Sequence, residues 1–337
     1  MTAPSSTLSL PRARIIGTGC ALPDKVLTNA DLSKMVDTSD EWIRSRTGIS
    51  ERRILEEGRD TSDLATQAAQ RACESAGVTP AQIDCIIVGT VSGDMLFPAT
   101  ATIVQHKLGA RPGSAAFDVS AACAGFIHGL SIADGFIARG TFKNILVIGV
   151  EILSRIIDWQ DRNTCVLFGD GAGAVVVTAD ASGTSGILSS HIFADGSQSE
   201  TLCSPAGGTR RPITPEILAA RGQFVFMNGR EVYRHAVKNI AAACVHALAH
   251  NGMNAEAVDC VVAHQANLRI IEGVAERVGL PLDKFHLNLE RYGNTSSASV
   301  PIALDEAVRS GRIQPGALVL MCAFGGGFAW GSALVRW

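Results

Sequence analysis

Cys123 is the cysteine whose surroundings in the sequence best suit nucleophilic catalysis. It lies between a predicted strand in AAFDVS and a predicted apolar helix that ends at Gly140. At the start of a helix, free backbone amides and the positive end of the dipole stabilise a thiolate. The small neighbouring residues would let a substrate approach the sulfur. On this context alone, a nucleophile and a small buried hydrophobe are equally good interpretations.

A nucleophilic cysteine needs a partner base or an electrostatic stabiliser, and two residues suit that role. His264 ends the apolar strand 260–263 and opens the polar sequence HQANLRI. Strand ends are where open α/β sheets bind ligands. Asn294 follows a glycine in RYGNTSSAS and precedes a run of small residues like the run around Cys123. On spacing alone Asn294 is more typical of a turn, whereas its small neighbours favour a place in the site.

Two glycine-rich segments invite opposite interpretations. In FGDGAGA, residues 168–174, the glycines are followed by a predicted strand. A dinucleotide-binding fingerprint requires a helix there, so this segment argues against NAD binding. In FGGGFAWG, residues 324–331, the glycines can turn backbone amides toward a reacting oxygen, although a tight turn between two strands explains them equally well.

The segment TSDEWIRSRTG, residues 38–48, predicts a short helix. Thr38 and Glu41 form a capping-box pattern at its start, and the final glycine suits a helix end. Trp42 and Arg46 are one turn apart and project together. Such a pair suits an adenine ring and a phosphate, but a packed tryptophan beside a solvated arginine is at least as good an interpretation.

The elements that must position these residues occur twice in the chain. Residues 61–90 and 236–265 each read as a helix that ends at a glycine, a short linker and an apolar strand, and Thr61 or Ser62 is the expected cap of the first helix. At an offset of 175 residues the register agrees at four matched pairs: Gly77 with Gly252, Asp84 with Asp259, Cys85 with Cys260, and Thr90 with Gln265. The repeat predicts two similar α/β halves with mostly parallel sheets, divided within residues 179–186.

Composition excludes several classes of protein. The 337 residues are 47% hydrophobic and 18% charged, with a net charge of −3, so the chain can form a large core and offers no basic field for nucleic acid. No apolar run is long enough to cross a membrane, and the start of the chain is not a secretory signal. The nine scattered cysteines indicate neither a disulfide framework nor a metal motif.

Six motifs in order resemble the β-ketoacyl-acyl-carrier-protein synthase III family of the thiolase superfamily. They are TSDEWIRSRTGI, DVSAACAGF, FGDGAGAVV, HQANLRI, GNTSSASVP and the terminal FGGGFAWGSALVRW. The resemblance implies an α/β, five-layer αβαβα fold from two duplicated halves, residues 13–180 and 184–337, after a flexible tail, residues 1–12. It also implies a cytoplasmic homodimer.

The resemblance implies a decarboxylative Claisen condensation that initiates type II fatty acid synthesis. Cys123 would take an acyl group from acyl-CoA, and malonyl-acyl carrier protein would then be decarboxylated and condensed onto it. His264 and Asn294 match the other two catalytic positions and would stabilise the enolate, while the backbone amides of Cys123 and Gly326 would hold the oxyanion. This chemistry needs no metal and no redox cofactor.

The resemblance also assigns the binding residues. The expected CoA contacts are Trp42 and Arg162 at the adenine and Arg46 at the phosphates. The expected channel is lined by Phe168, Met227, Gly229 and Phe324, and Phe97, in a dimer loop, would reach the partner's acyl pocket. Arg269 would contribute to a basic patch for the acidic carrier protein.

The segment 202–223 is longer than in typical members of the family, and it carries Arg210, Arg211 and Arg221. Because this segment borders the tunnel in the family, the acyl donor stays open. Four alternatives remain: a specialised homologue in secondary metabolism or another pathway, an enzyme that transfers acyl groups without condensation, a non-catalytic binding module on the same scaffold, and a biosynthetic thiolase. Residues 325–330 lack the second cysteine that thiolases use.

Overall fold

The computed structural model describes residues 11–180 and 183–337. Of the predicted tail, residues 1–10 lie outside the described residues. The strands are β1 (Arg12–Ala21), β2 (Val26–Thr28), β3 (Glu51–Arg53), β4 (Cys85–Gly89), β5 (Ala115–Val119), β6 (Asn144–Glu151), β7 (Gly171–Asp180), β8 (Gly186–Ala194), β9 (Leu202–Cys203), β10 (Phe226–Met227), β11 (Cys260–Ala263), β12 (Leu318–Gly325) and β13 (Ala329–Arg336).

The helices lie between these strands in the alternation expected of an α/β protein. They are α1 (Asn29–Leu32), α2 (Asp40–Thr47), α3 (Thr61–Ala76), α4 (Thr100–Leu108), α5 (Gly125–Ala138), α6 (Arg162–Cys165), α7 (Pro215–Ala219), α8 (Gly229–His250), α9 (Leu268–Val278), α10 (Leu289–Tyr292) and α11 (Ser299–Arg309). No helix within residues 11–180 and 183–337 is long and apolar enough to cross a membrane.

Two large sheets carry the fold, with strand orders β1-β7-β6-β4-β5 and β11-β12-β13-β8. The pairs β4–β5, β4–β6 and β11–β12 are parallel, whereas β7 and β13 are antiparallel to both of their neighbours. The prediction of mostly parallel sheets was therefore wrong. One cause is visible between β12 and β13, because the three residues that join them can connect only antiparallel neighbours.

The elements stack in five layers. Helices α3 and α4 pack their apolar faces on the outer side of the first sheet, and α8 and α9 cover the outer side of the second. Helices α5 and α11 lie between the two sheets, in one apolar cluster with residues of both. This arrangement confirms the five-layer αβαβα prediction, and it buries the central helices on all sides.

The two sheets repeat one topology, since β1, β7, β6 and β4 correspond in order to β8, β13, β12 and β11. The matched aspartates make equivalent hydrogen bonds in the two halves. Asp84 accepts a hydrogen bond from the backbone of Asn144 at the start of β6, and Asp259 accepts one from Leu318 at the start of β12. The boundary between residues 180 and 184 stays a prediction, because residues 181–182 lie outside the described part of the chain.

Two predicted helix caps were wrong by one residue. Ser39, not Thr38, caps α2, because its hydroxyl accepts a hydrogen bond from the backbone of Trp42 at 3.1 Å. Helix α3 begins after Asp60, whose backbone donates to the carboxylate of Asp63 at 2.8 Å. The hydroxyl of Thr61 is used elsewhere, since it donates to a carbonyl in the loop after β4.

Candidate active site

Cys123 lies where the sequence predicted, in a single 3₁₀ turn between β5 and α5. The turn begins at Ala122, whose φ of 43° is in the left-handed region that non-glycine residues rarely adopt. The cysteine is only 6% exposed and lines an apolar cavity of about 470 Å³. Burial raises the pKa of its thiol to about 12. The expected stabilisation of a thiolate is thus outweighed by desolvation.

His264 follows β11 and faces the same cavity. Its backbone is fixed by a 2.8 Å hydrogen bond to the carbonyl of Cys322, and its ring Nδ1 lies 2.6 Å from the hydroxyl of Ser299. The same hydroxyl accepts a hydrogen bond from the backbone of Gln265, so its own hydrogen is available to Nδ1. Burial lowers the pKa of His264 to about 3. The ring is therefore neutral at physiological pH, and in the tautomer whose Nδ1 accepts from Ser299 its Nε2–H can donate into the cavity.

Asn294 is held by residues of the other half. Its backbone donates to the carbonyl of Leu167 at 2.8 Å, and its carbonyl accepts from Gly169 at 3.0 Å. The side-chain oxygen accepts a hydrogen bond from the backbone of Ser296 at 2.8 Å. The amide nitrogen of Asn294 is consequently the group that can donate to a ligand in the cavity.

The cavity brings together most of the residues that the sequence analysis assigned to the site. Besides the cysteine, histidine and asparagine, its lining includes Phe168, Met227, Gly229, Phe324 and Gly326. Phe97 does not line this cavity, because it lies on the surface and is 84% exposed. One chain therefore supplies the reacting groups and an apolar chamber, while the expected contribution of Phe97 to a partner's pocket stays a prediction.

The glycine-rich turn packs against the backbone of the nucleophile. A Cβ atom on Gly325 would lie 2.5 Å from the backbone nitrogen of Cys123, a distance that no real side chain tolerates. A Cβ on Gly326 would lie 2.7 Å from the carbonyl of Leu202. Glycine is required at both places because the chain passes this close. The approach places the backbone of residues 325–326 beside Cys123, as an oxyanion hole requires.

The expected CoA contacts form a stack at the mouth of a second cavity. The guanidinium groups of Arg46 and Arg162 lie 5.1 and 4.8 Å from the ring centre of Trp42. This cavity, of about 500 Å³, shares Met227 and Gly229 with the first. The two spaces are thus adjoining, which gives a nucleotide-bearing thioester a path from the tryptophan to Cys123.

The segment 202–223 borders the cavity at one end and covers the surface at the other. Leu202 lines the cavity, and β9 pairs with β10 to form a flap. Two of its arginines are paired: Arg210 bonds Glu200 at 2.7 Å, and Arg221 bonds Asp158. The pair with Asp158 connects the end of the segment to a distant part of the chain, whereas the pair with Glu200 is exposed and local.

The sequence analysis missed three residues of the site: Ser299, which contacts His264, Ser296, which lies beside Cys123, and the buried Glu151 at the end of β6. Both serines are in the TSSAS run that drew attention to Asn294. A single acidic residue at the end of the apolar run ILVIGVE was the available signal for Glu151, since buried carboxylates require partners. Within residues 11–180 and 183–337, no cluster of histidine, cysteine and acidic side chains is suited to a metal ion.

A duplicated five-layer scaffold with a buried cysteine, a neutral histidine and an asparagine on one apolar cavity defines a thiolase-like acyltransferase. Comparison with known proteins gives the family. Residues 117–196 match the model of 3-oxoacyl-[acyl-carrier-protein (ACP)] synthase III, and residues 248–337 match the model of its C-terminal part. The chain belongs to the 3-oxoacyl-[acyl-carrier-protein] synthase III family.

Individual relatives agree with this assignment over almost the whole chain. The beta-ketoacyl-[acyl-carrier-protein] synthase III of Xanthomonas campestris is 54% identical over 96% of this chain and 98% of its own length. The solved 3-oxoacyl-[acyl-carrier-protein] synthase III of Aquifex aeolicus is 47% identical, with a TM-score of 0.89 over 96% of this chain and 100% of that chain. A priming beta-ketosynthase from the R1128 polyketide pathway is 36% identical, with a TM-score of 0.89 over 99% of both chains.

Proposed function

We propose that this enzyme condenses an acyl-CoA with malonyl-acyl carrier protein, with loss of CO₂, to a 3-oxoacyl-acyl carrier protein that starts type II fatty acid synthesis. The observation that carries the proposal is the shared cavity. It holds the thiol of Cys123, at the start of a helix, and two side chains with an N–H that can donate, His264 and Asn294. A covalent acyl step and a decarboxylation step need these groups and no redox cofactor.

In the first half-reaction, the sulfur of Cys123 attacks the thioester carbonyl of acyl-CoA. The negative charge that develops on the carbonyl oxygen is held by the backbone amides of Cys123 and Gly326. The carbon–sulfur bond to CoA then breaks, the CoA thiolate takes up the proton that the thiol of Cys123 loses, and the acyl group stays on Cys123 in the apolar chamber lined by Phe168, Met227 and Phe324.

In the second half-reaction, malonyl-acyl carrier protein binds with its thioester oxygen at His264 and Asn294. Loss of CO₂ leaves the electron pair of the broken bond in an enolate, whose oxygen accepts hydrogen bonds from both side chains. The nucleophilic carbon attacks the acyl carbon on Cys123, and the carbon–sulfur bond to the enzyme breaks. The neutral state of His264 suits a donor that need not transfer its proton.

A panel of acyl-CoA donors tests the proposal. The mass of the intact enzyme reports acylation, and addition of malonyl-acyl carrier protein reports the 3-oxoacyl product. Acylation followed by product is the expected result, and the best donor identifies the starter, including that of a specialised pathway. Acylation without product would indicate acyl transfer alone, and an unmodified Cys123 across the panel would favour a binding module.

Trp42 and the guanidinium of Arg162 beside its ring are proposed to hold the adenine end of CoA, with Arg46 at the phosphates. Replacement of Trp42 by alanine is expected to raise the KM for acyl-CoA about 10-fold, because base stacking and cation–π contacts contribute roughly 1–2 kcal/mol. The kcat should change less than about twofold. Steady-state kinetics give both constants.

Two controls separate this contact from a general disturbance of α2. Arg44→Ala alters the same helix, but its side chain pairs with Asp40 and Glu290 rather than with Trp42, so KM should stay unchanged. An acyl thioester without the nucleotide should react equally with the wild type and the Trp42 variant. A loss of activity toward that short substrate would contradict the assignment of Trp42 to the adenine.

The carrier protein is proposed to dock beside Arg269, at the N-terminus of α9. This side chain donates to the carbonyl of Ser45, and Asn267 donates to the carbonyl of Arg46, so α9 and α2 form one surface. Arg46 and Arg269 give that surface a positive charge. An acidic carrier protein is attracted to such a patch even though the whole chain carries a charge of −3.

The exposed apolar loop after β4 supports a homodimer. Met95, Leu96 and Phe97 are 54%, 92% and 84% exposed, an unusual cluster for a surface in contact with water. The double variant Leu96→Asp and Phe97→Asp is expected to shift a micromolar solution from dimer toward monomer, as measured by sedimentation velocity. Val245→Asp, at an isolated exposed apolar position on α8, should leave the dimer intact. A wild-type chain that sediments as a monomer would refute the assembly.

Substrates such as acyl-CoA and carrier protein place the reaction in the cytoplasm, and we propose that location for the chain. The reaction as written balances without a metal or a redox cofactor, so none is proposed. Fractionation of the source cells tests the location. Full activity after extensive dialysis against a chelator is the result expected of an enzyme that needs no metal ion.

A further inference from the structure

Arg52, in the middle of β3, is a fully buried arginine that the proposed reaction does not use. Its guanidinium donates to neutral oxygens: the carbonyls of Leu27 and Val166 at 3.1 and 2.8 Å, and the side chain of Asn29 at 2.9 Å. Burial lowers the pKa of Arg52 to about 10, so the group stays charged at neutral pH. A buried cation held by neutral groups is costly to keep, and its position therefore requires an explanation.

The segment 166–170 lies between this arginine and the asparagine of the candidate site. Its first residue, Val166, accepts the 2.8 Å hydrogen bond from Arg52. The residues that follow make the two backbone hydrogen bonds, of 2.8 and 3.0 Å, that hold Asn294. The guanidinium thus binds the start of the same segment that fixes the backbone of Asn294.

The stem of Arg52 packs on both sides of the contact between this segment and the asparagine. Phe168 and Asn294 pair through an isolated parallel β-bridge. The residues beside them in the sequence are Gly169 and Gly293. A Cβ atom on Gly169 would lie 3.0 Å from the Cβ of Arg52, and one on Gly293 would lie 3.3 Å from it. The arginine therefore contacts the chain on both sides of the bridge that carries Asn294.

Arg52 is itself held by a partner with little freedom to move. Asn29 is only 1% exposed, and its side-chain nitrogen donates to the carboxylate of Asp40 and to the carbonyl of Ile49, both at 2.8 Å. With both amide hydrogens used in this way, its oxygen is directed to the guanidinium. The side chain of Arg52 is consequently fixed at one end by β2 and Asn29 and at the other by Val166.

We propose that Arg52 is a positioning residue for the condensation step and that it acts through Asn294. The inference rests on the proposed function, since it concerns the half-reaction in which the Asn294 amide donates to the enolate oxygen. Arg52 holds the backbone around Asn294, while Ser296 occupies the side-chain oxygen. The amide nitrogen is then fixed where the enolate forms. Acyl transfer to Cys123 uses other groups, so the two half-reactions should respond differently when Arg52 is replaced.

Arg52→Met keeps most of the apolar stem and removes the hydrogen bonds of the guanidinium. We expect condensation in a single turnover to slow about 10- to 100-fold, because a small displacement of a group that acts in the transition state has an effect of this size. Acylation and the KM for acyl-CoA should stay within about threefold of the wild type. A general loosening of the protein would change all three.

Arg53→Met is the matched control on the same strand. The side chain of Arg53 pairs with Glu51 at 3.3 Å rather than with the segment 166–170, and its backbone bond to Asp170 is kept in the variant. Both half-reactions of this variant should stay within about twofold of the wild type. An equal loss of condensation in the two arginine variants would contradict a specific effect of Arg52.

A double variant shows whether Arg52 acts through Asn294. If it does, Arg52→Met should slow condensation less than about threefold further in an enzyme that already carries Asn294→Ala. The full loss of the single variant, repeated in the Asn294→Ala background, overturns the proposal. A loss of acylation as large as the loss of condensation overturns it as well.

Hydrogen–deuterium exchange measures the positioning without any activity. The amides of Gly169 and Asn294 form the two hydrogen bonds between the segment and the asparagine. Both should exchange at least about tenfold faster in Arg52→Met and at the wild-type rate in Arg53→Met. Unchanged exchange at both amides in Arg52→Met overturns the proposal.

Two outcomes separate this inference from the proposed function. A wild type that is acylated but forms no product would refute the proposed condensation. A wild type that condenses normally, together with an Arg52→Met variant of unchanged rate and exchange, would refute the role of Arg52 alone. If thermal unfolding shows that Arg52→Met is not folded, Arg52→Lys decides by the same measurements. It keeps the charge but cannot reach all three oxygens, so condensation should slow about 3- to 10-fold.

Discussion

Replacement of Cys123 by alanine is expected to abolish the acyl-enzyme and to lower the rate of product formation by at least about 10⁴-fold, because removal of a nucleophile eliminates the covalent route. The fold should survive. Alanine keeps the Cβ atom that packs on Gly325, and the lost sulfur faces a cavity rather than the core. Intact-protein mass spectrometry after incubation with acyl-CoA gives the acylated fraction, and product formation with malonyl-acyl carrier protein gives the rate.

Cys203 supplies a matched control for this experiment. It is a second thiol on the lining of the same cavity, in the flap formed by β9 and β10. It lies in a strand rather than at the start of a helix. Cys203→Ala should therefore be acylated as the wild type is. Stoichiometric acylation of the Cys123→Ala variant would show that another residue is the nucleophile.

Replacement of His264 or Asn294 by alanine is expected to leave acylation within about threefold and to lower condensation by roughly 10²- to 10³-fold. Each change removes one hydrogen-bond donor to the enolate oxygen, and the loss of one such donor typically costs this much. The measurement is a single turnover in which enzyme that is already acylated meets malonyl-acyl carrier protein, with release of CO₂ and product followed together. His246→Ala is the control, because His246 lies on α8, the helix that covers the outer side of the second sheet.

The pH dependence of condensation tests the neutral histidine independently. The pKa of His264 is lowered to about 3, so its protonation state does not change between pH 5 and 8 and should not limit the rate there. A fall in the single-turnover rate below pH 6.5 that vanishes in His264→Ala would contradict this. The lowered pKa also affects the free energy of unfolding. As the pH falls below 6.5, His264 takes up a proton in the unfolded chain but stays neutral in the folded chain, so the folded state becomes less stable.

The sequence repeat predicted much of the fold because both halves use the same residues for the same structural purpose. Asp84 and Asp259 align at one offset, and each binds the backbone at the start of a neighbouring strand. The strand directions of β7 and β13 could not be read in this way, since an apolar run has the same appearance in parallel and antiparallel pairs. The caps of α2 and α3 were misplaced because neighbouring Thr, Ser and Asp residues are all good caps.

The candidate site was predictable where chemistry depends on residue type and local context. Cys123, His264 and Asn294 each stand beside a distinctive small or polar run. The hydrogen bond from Ser296 to Glu151 was not predictable, because the two residues are 145 positions apart in the sequence and meet only in the folded chain. The raised pKa of Cys123 was also missed, since local sequence reports the helix start but not the depth of burial.

The repeated turn before each central helix has a consequence for how such enzymes can diverge. Residues 122–124 and 296–298 form matching 3₁₀ turns, but the first presents a thiol and the second presents supporting hydroxyls. The duplicated backbone therefore offers two equivalent positions, and this chain occupies them with side chains of different chemistry. A substitution in one turn can consequently change one group of the candidate site while the other turn keeps its own.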